Sequence, residues 1–245
     1  MVRASSVLVR GVVFAVDAAL LAAYYATSSS LWQASTWWDV AFLSFVLIPL
    51  VFLLVLIALP LWREPATRLL VAGLAFVSLA AVLAAVGWDS PADFSKLAAV
   101  TAIGWWFLGF FERAAWVVAV AAIIPFVDAY SVWKGPTKHI VEHQQHLFSV
   151  LSFTFPIPGE HSTANLGMPD LLFFAVFLGA AARFRLRVRL TWVCMTLSFG
   201  ATLALAVYFD LRGLPALPLL SLGLFAPNAD LLWRELATRR RPPRT

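Results

Sequence analysis

Long apolar runs separated by short polar breaks dominate the pattern of this chain. A helix that crosses a bilayer needs about 20 consecutive, mostly apolar residues. Eight runs approach that length, with approximate bounds 7 to 28, 39 to 61, 67 to 88, 95 to 111, 114 to 133, 167 to 184, 189 to 209 and 215 to 233. The pattern therefore predicts an all-α polytopic membrane protein with about eight transmembrane helices.

The composition is too apolar for a water-soluble domain. Of the 245 residues, 62% are hydrophobic and 13% are charged, and the mean hydropathy is +0.85. A core surrounded by water could not bury that much apolar surface, so we expect lipid to be the solvent for most of the chain. Tryptophans lie near the predicted helix ends, as in the aromatic belt of a membrane interface. They are Trp32, Trp37, Trp38, Trp62, Trp88, Trp133 and Trp233.

The basic residues indicate which way the chain crosses the membrane. With the N-terminus inside, the inside segments hold Arg63, Arg68, Arg113, Arg183, Arg185, Arg187, Arg239, Arg240 and Arg241, and the outside segments hold little beyond Lys96, Lys134, Lys138 and Arg212. Because cytoplasmic loops carry the excess of Lys and Arg, this predicts a cell-membrane protein with both termini in the cytoplasm. The net charge of +5 is thereby explained without a nucleic-acid partner.

The chain divides into two parts, and its one long connection lies within the second part. Residues 1–111 form a set of N-terminal transmembrane helices, and residues 112–245 form a C-terminal half that contains the connection 134–166. This connection holds all four histidines and then an apolar, β-prone stretch, residues 147–155. Connections of this length more often carry functional residues than serve only as linkers, so we expect the functional site in the C-terminal half.

Three acidic residues lie inside predicted spans, namely Asp17, Asp128 and Asp170. A charged carboxylate at mid-bilayer costs about 2.5 to 3.5 kcal/mol, so such acids are functional candidates by default. Asp128 lies near the end of the fifth span and Asp170 near the start of the sixth, each about 5 to 8 Å below the interface at 1.5 Å rise per residue. Since one connection joins these antiparallel spans, both depths are measured from the same membrane face. The two acids can therefore meet.

The eighth span begins at the same face with two closely spaced prolines. Leu214, Pro215, Ala216, Leu217 and Pro218 form its entry. The prolines delay helix formation and leave backbone groups unpaired, which lipid tolerates only where the segment lines a cavity in the protein. For Pro215, a simple helix-starting role is the alternative.

Two neighbouring carboxylates share one proton, and this arrangement suits peptide hydrolysis. The ionised acid takes a proton from water while the protonated acid polarises the scissile carbonyl. The same pair could instead form the proton relay or ion site of a transporter or channel. For Asp17 the sequence favours a structural role, because Arg10 stands two helical turns away and could help to neutralise it.

A zinc peptidase is the rival enzyme hypothesis. His139-Ile140-Val141-Glu142-His143 fits the H-x-x-E-H pattern, and His146 could be a third ligand. A polar loop helix with ordinary histidines is the alternative for this segment. The single cysteine, Cys194, excludes both a disulfide framework and a cysteine metal cluster.

Three landmarks of the C-terminal half resemble the presenilin and signal peptide peptidase family of intramembrane aspartyl proteases. Phe126-Val127-Asp128, which continues to Lys134-Gly135-Pro136, resembles the family's Tyr-Asp helix and its Lys-Gly-Pro turn. Gly167-Met168-Pro169-Asp170 is similar to the Gly-x-Gly-Asp motif, and Pro215-Ala216-Leu217 is similar to the Pro-Ala-Leu motif. Their order and spacing also agree over roughly residues 112–225. On this resemblance the chain is identified as a prokaryotic presenilin-like homologue.

The resemblance implies a presenilin-like fold and a function. Asp128 and Asp170 would be the catalytic pair of an aspartyl endopeptidase that needs no cofactor or metal. Its substrates would be transmembrane segments or remnant signal peptides, bound unwound as an added strand against the backbone before Gly167 and along the Pro-Ala-Leu segment. The implied substrate-binding residues are Gly167, Met168, Pro169, Leu214, Pro215, Ala216 and Leu217.

Three features depart from the family pattern. Val127 stands where the family usually has Tyr, and Pro169 replaces the second Gly of the Gly-x-Gly-Asp motif. The family usually has nine spans, whereas the sequence predicts eight. A missing first span would give the orientation of the signal peptide peptidases rather than that of the presenilins.

Overall fold

The computed structural model describes residues 2–134, 150–211 and 213–238. In chain order the helices are α1 (Val2–Thr27), α2 (Thr36–Phe42), α3 (Ile48–Ala58), α4 (Ala66–Ala85), α5 (Asp89–Leu108), α6 (Ala114–Lys134), α7 (Met168–Arg183), α8 (Val188–Tyr208), α9 (Leu217–Phe225) and α10 (Ala229–Thr238). A π-helical turn, Leu43–Leu47, joins α2 to α3 as one rod. Strands β1 (Ser152–Pro156) and β2 (Thr163–Gly167) precede α7.

Among the described residues, five helical stretches are long and apolar enough to cross a membrane. They are Val7–Ser30, Thr36–Arg63, Ala66–Ala85, Ala114–Val132 and Val188–Tyr208. Much of their outer surface is apolar and exposed, for example Val71 on α4 and Leu20 on α1. Side chains of this kind are stable against lipid rather than water. The chain is therefore a largely helical, multi-pass membrane protein, as its apolar runs predict.

The remaining predicted spans, α5, α7 and α9, are shorter or more polar. Helix α5 opens with two aspartates, α7 has 16 residues and α9 has nine. From Phe174 to Ala181 every side chain of α7 is buried. A helix that is surrounded by protein need not present a full apolar length to lipid, so these helices can carry the polar chemistry.

Small residues let α5 and α7 approach closely. A Cβ built on Gly104 would lie 3.1 Å from the carbonyl oxygen of Leu172, and one on Gly179 would lie 2.8 Å from Cδ2 of Leu108. A side chain at either position would collide with the other helix, so the glycines permit close van der Waals packing, which is a main attraction between helices in lipid. Helix α5 thereby holds α7, which carries Asp170, in a fixed position.

The last predicted span differs from a continuous helix over residues 215–233. The chain just before α9 is not helical, and a 3-10 turn at Ala226–Asn228 separates α9 from α10. Pro227 lies in this turn, and the buried Asn228 donates to the carbonyl of Leu224 and to Thr191 Oγ1. Proline removes a helical donor and the asparagine satisfies the freed groups, so the helix can bend there.

Helix α10 is attached by a bidentate ion pair. Arg187 donates to both carboxylate oxygens of Asp230, at 2.7 and 2.8 Å. The hydrogen bonds from Arg187 hold the pKa of Asp230 below its usual range. Both groups are well exposed, so the pair orients α10 more than it stabilises the fold.

Strands β1 and β2 form an antiparallel hairpin inside the long connection. Phe153 pairs with Leu166 and Phe155 pairs with Ala164. The two phenylalanine rings are buried in the core, which the β-prone stretch before Pro156 anticipates. Because β2 runs directly into α7, the hairpin is joined to the helix that carries Asp170.

Candidate functional site

Asp128 lies on the inward face of α6. Two turns earlier, Ala121 on the same face is fully buried, and Val117 one turn before that is 4% exposed. Asp128 is half-buried, whereas its neighbour Val127 is 54% exposed and faces away. The position where the family usually has Tyr is therefore on the outer side of the helix.

The carboxylate of Asp128 caps a different helix. The backbone N–H of Leu217 donates to Asp128 Oδ2 at 3.1 Å. Leu217 is the first residue of α9, so its N–H has no acceptor within that helix. The positive end of the α9 dipole therefore meets the acid, and this contact joins the Pro-Ala-Leu segment to α6.

Asp170 occupies the third position of α7. Its carboxylate interacts with the backbone N–H of Gly167, the residue that precedes the helix. This is the contact that an acidic side chain at the third position makes in a capping box. Pro169 fits the second position, where the missing N–H would have no helical acceptor in any case. The departure at Pro169 is therefore compatible with the start of this helix.

Asp128 and Asp170 lie in the same region of the fold. The carboxylates of Asp128 and Asp170 are close enough to interact electrostatically. Helix α9 packs against both α6 and α7, so it lies between the two elements that carry them. Each carboxylate also contacts a backbone N–H at a helix start, where negative charge is favoured.

The predicted substrate-binding residues divide into two segments around these acids. Leu214 is half-buried and Pro215 and Ala216 are buried in the non-helical chain before α9, and Leu217, the first residue of α9, is also buried. Gly167 ends β2, while Met168 begins α7 and donates its N–H to the carbonyl of Leu151 at 3.0 Å. Both segments therefore present non-helical backbone beside the acids.

The outer edge of β1 is closed by side chains from α1 and α5. Its carbonyl groups accept hydrogen bonds from one lysine and two tyrosines, and one of its N–H groups donates to an aspartate. The contacts are Lys96 Nζ to Ser152 O at 2.9 Å, Tyr25 to Thr154 O at 2.8 Å, Tyr24 to Pro156 O at 2.7 Å and Thr154 N to Asp93 Oδ2 at 3.0 Å. No further strand can pair with β1 on this side.

The closure of β1 determines which groups of β2 face outward. Since Ser152, Thr154 and Pro156 bond outward, Phe153 and Phe155 bond inward to β2. Antiparallel pairing alternates, so Ala164 and Leu166 complete those inward bonds. The backbone groups of Thr163, Asn165 and Gly167 then point away from β1. The outward edge of β2 therefore ends at Gly167, beside the Asp170 carboxylate.

Sequence reasoning missed the residues that close β1. Asp93 and Lys96 form a buried ion pair at 2.6 Å. Their spacing of three residues at the head of a helix is a signal for such a pair, but Asp93 lay just outside the predicted span. Tyr24 and Tyr25 gave no signal, because their acceptors lie 132 and 129 residues away.

Two other candidates stand apart from the acids. Asp17 is 3% exposed, and neither of its carboxylate oxygens has a hydrogen-bond partner among the described residues. Arg10 is exposed, and within the same residues it forms no ion pair with Asp17. His139, Glu142, His143 and His146 lie outside the described residues, and within those residues no group of three His, Cys, Asp or Glu side chains could hold a metal ion.

Comparison with known proteins adds no relative: the sequence matches no protein-family model, and no curated protein matches it.

Proposed function

We propose that this protein is an intramembrane aspartyl protease of the presenilin and signal peptide peptidase type. The observation that supports the proposal best is that Asp128 and Asp170, two acids from different helices, lie near enough for their carboxylates to interact electrostatically. Backbone donors from Leu217 and Gly167 hold the two carboxylates. Acids inside a membrane are costly, and this pair has the chemistry that peptide hydrolysis needs.

The reaction uses one proton shared by the pair. The ionised acid takes a proton from a water molecule as its oxygen attacks the carbonyl carbon, and the protonated acid donates to the carbonyl oxygen. In the gem-diol that results, the acid that took up the water proton donates it to the leaving amide nitrogen as the C–N bond breaks. The other acid takes a proton from a diol hydroxyl as the product carboxyl group forms, which restores one charged and one neutral acid. No cofactor takes part in these steps.

The substrate binds as a strand on the outward edge of β2. Asn165 offers a backbone N–H and a carbonyl to such a strand, and the next outward position along the edge is Gly167, beside Asp170. The outer edge of β1 is occupied by α1 and α5, so β2 is the edge that remains for augmentation. The non-helical segment that ends at Leu217, whose N–H donates to Asp128, lines the same site.

The substrates are transmembrane segments or remnant signal peptides that unwind at this membrane face. A helical peptide has its backbone groups paired internally, and only an unwound segment can bond to a strand edge. The arginine-rich helix ends favour a cytoplasmic location for both termini, and in that orientation the acids lie nearer the outer face of the cell membrane.

Cleavage of a synthetic transmembrane peptide in liposomes tests the proposal. Asp128→Asn and Asp170→Asn should each lower the cleavage rate by at least about 100-fold, because each removes an acid–base group. Asp17→Asn is the matched control, since it makes the same change at a buried acid away from the site, and it should cleave normally. A hydroxyl-bearing aspartyl transition-state analogue should inhibit, and a metal chelator should not.

Other outcomes would separate the alternatives. Inhibition by the chelator alone would reject the aspartyl mechanism and favour the zinc hypothesis. Absence of cleavage together with a pH-dependent ion flux that Asp128→Asn abolishes would identify a transporter or channel.

A further inference from the structure

An apolar groove lies between the helix pairs α1–α3 and α4–α5, away from the two acids. Its volume is about 850 Å³, and its walls include Leu21, Leu54, Phe76 and Leu97. It runs from Arg68 at the start of α4 to Ser90 at the start of α5. Helix α4 has 20 residues, which is about 30 Å at 1.5 Å per residue. The groove therefore extends over the thickness of the hydrocarbon layer.

A basic pocket adjoins the arginine-rich end of this groove. Its volume is about 330 Å³, and it is lined by Arg63, Arg183 and tryptophans that include Trp62 and Trp106. Glu64, Leu69 and Trp105 form walls of both cavities, so the two are neighbours. An apolar groove that adjoins a cationic pocket at a membrane interface can hold an amphiphilic molecule. The apolar chain of such a molecule fits the groove and its charged head group fits the pocket.

The two arginines of the pocket carry uncompensated charge. The guanidinium of Arg63 lies 5.5 Å from the ring centre of Trp62, and Arg183 donates to the carbonyl of Leu108 at 2.7 Å. Within the described ranges neither forms an ion pair, and the nearby Glu64 already bonds to Arg68 at 3.0 Å. Planar guanidinium groups that keep free N–H donors are suited to a phosphate group.

A buried hydroxyl also lacks a partner in the groove. Thr101 lines it, is 6% exposed, and has no hydrogen-bond partner for Oγ1 among the described residues. A buried hydroxyl without a partner is unfavourable, and the ester carbonyl of a lipid can accept its hydrogen bond.

We propose that the groove and the basic pocket together bind one anionic phospholipid, with its phosphate between Arg63 and Arg183 and its acyl chain along α4 and α5. The basic pocket at one end of the groove and the unpartnered hydroxyl of Thr101 within it favour a lipid over a transmembrane helix, because a phospholipid supplies both a phosphate and an ester carbonyl. The binding is independent of the proteolytic proposal.

Native mass spectrometry of the full chain, titrated with phosphatidylglycerol or phosphatidylcholine of equal acyl length, tests this site. Wild-type protein should bind phosphatidylglycerol more tightly. The double variant Arg63→Gln/Arg183→Gln should weaken that binding about 30-fold, at about fivefold per arginine, and should bind the two lipids alike. Ala72→Trp fills the groove and should weaken the binding of both lipids.

The matched control is Arg185→Gln/Arg189→Gln, which removes the same charge from exposed arginines of the same membrane face that line neither cavity. Equal weakening by the control would overturn the proposal in favour of general surface attraction. Displacement of phosphatidylglycerol by inorganic phosphate alone, or unchanged lipid binding in Ala72→Trp, would also overturn it. If the Arg63→Gln/Arg183→Gln variant does not fold, Arg63→Lys/Arg183→Lys replaces it. This variant should bind phosphatidylglycerol more weakly than wild type but still prefer it to phosphatidylcholine. Equal binding of the two lipids would contradict the proposal.

Discussion

At the scale of single residues, Gly167 is required for space rather than for an unusual backbone conformation. Its φ and ψ of −64° and 145° are open to any residue. A Cβ at this position would lie 3.1 Å from Oδ2 of Asp170, which is closer than most such contacts. The glycine of the Gly-x-Gly-Asp-like motif therefore makes room for the carboxylate that follows it.

Gly167→Ala should displace the Asp170 carboxylate by a few tenths of an ångström without unfolding the chain. We expect the cleavage rate to fall about tenfold, because catalysis is sensitive to small misplacements of reacting groups. Rate and melting temperature should be measured together. Gly11→Ala is the control, since a Cβ there meets nothing within 4 Å, and it should leave the rate unchanged. An unaltered rate in Gly167→Ala would show that this contact does not position the acid.

At the scale of elements, the hairpin depends on helices from the other half of the chain. A strand edge with unpaired backbone N–H and C=O groups can pair with another strand. Here four side chains from α1 and α5 bond to these groups along one edge of the hairpin. Because the ion pair between Asp93 and Lys96 is buried, this closure is rigid as well as polar. The N-terminal helices thereby select the edge on which the proposed substrate can bind.

Tyr25→Phe removes one hydrogen bond to the carbonyl of Thr154 and keeps the ring. We expect a loss of about 1 kcal/mol in the free energy of unfolding, and a higher KM because the hairpin is held less firmly. Lys96→Met breaks the buried pair with Asp93 and should cost about 3 to 5 kcal/mol. Thermal unfolding in detergent and peptide-cleavage kinetics measure both effects.

Tyr208→Phe is the matched control, because that tyrosine is 69% exposed. It should change neither stability nor KM. If Tyr25→Phe behaves in the same way, the hydrogen bond to β1 does not support substrate binding.

At the scale of the whole molecule, the charges at the two membrane faces differ. The turns at one face carry Arg63, Arg68, Arg113 and Arg183, and the hairpin lies at the opposite face with Asp39, Asp89 and Glu160 nearby. The positive-inside rule assigns the arginine-rich face to the cytoplasm. The acids of the candidate site then open toward the outside.

Labelling of single cysteines in intact cells tests this orientation. In a Cys194→Ser background, His161→Cys in the hairpin should react with an impermeant maleimide, because its side chain is exposed at the outer face. Thr67→Cys at the start of α4 should react only after the membrane is permeabilised. The reverse pattern would invert the assignment and place the acids near the cytoplasm.

The sequence alone predicted the transmembrane helices and the β-prone stretch, but parts of the site were not visible in it. Asp93 was overlooked because the low hydropathy at the start of α5 kept these residues out of the predicted span. They are buried only because other elements surround them. The bend at Pro227 was missed because its stabilisation depends on Thr191 and Arg187, which belong to the α7–α8 region. Both features depend on contacts between separate segments of the chain, so the residues of one segment do not predict them.

Transfer of a segment from water to lipid depends on that segment's own side chains, so the sequence by itself determined that the chain contains several apolar helices long enough to cross a membrane. Only the tertiary structure decided the partner of each polar group. Leu217, 89 residues beyond Asp128, supplies the N–H that binds that acid, and Tyr25 closes a strand that lies 129 residues further on. A backbone group freed by a helix start or a strand edge bonds to whichever element packs beside it, and packing is a property of the whole fold.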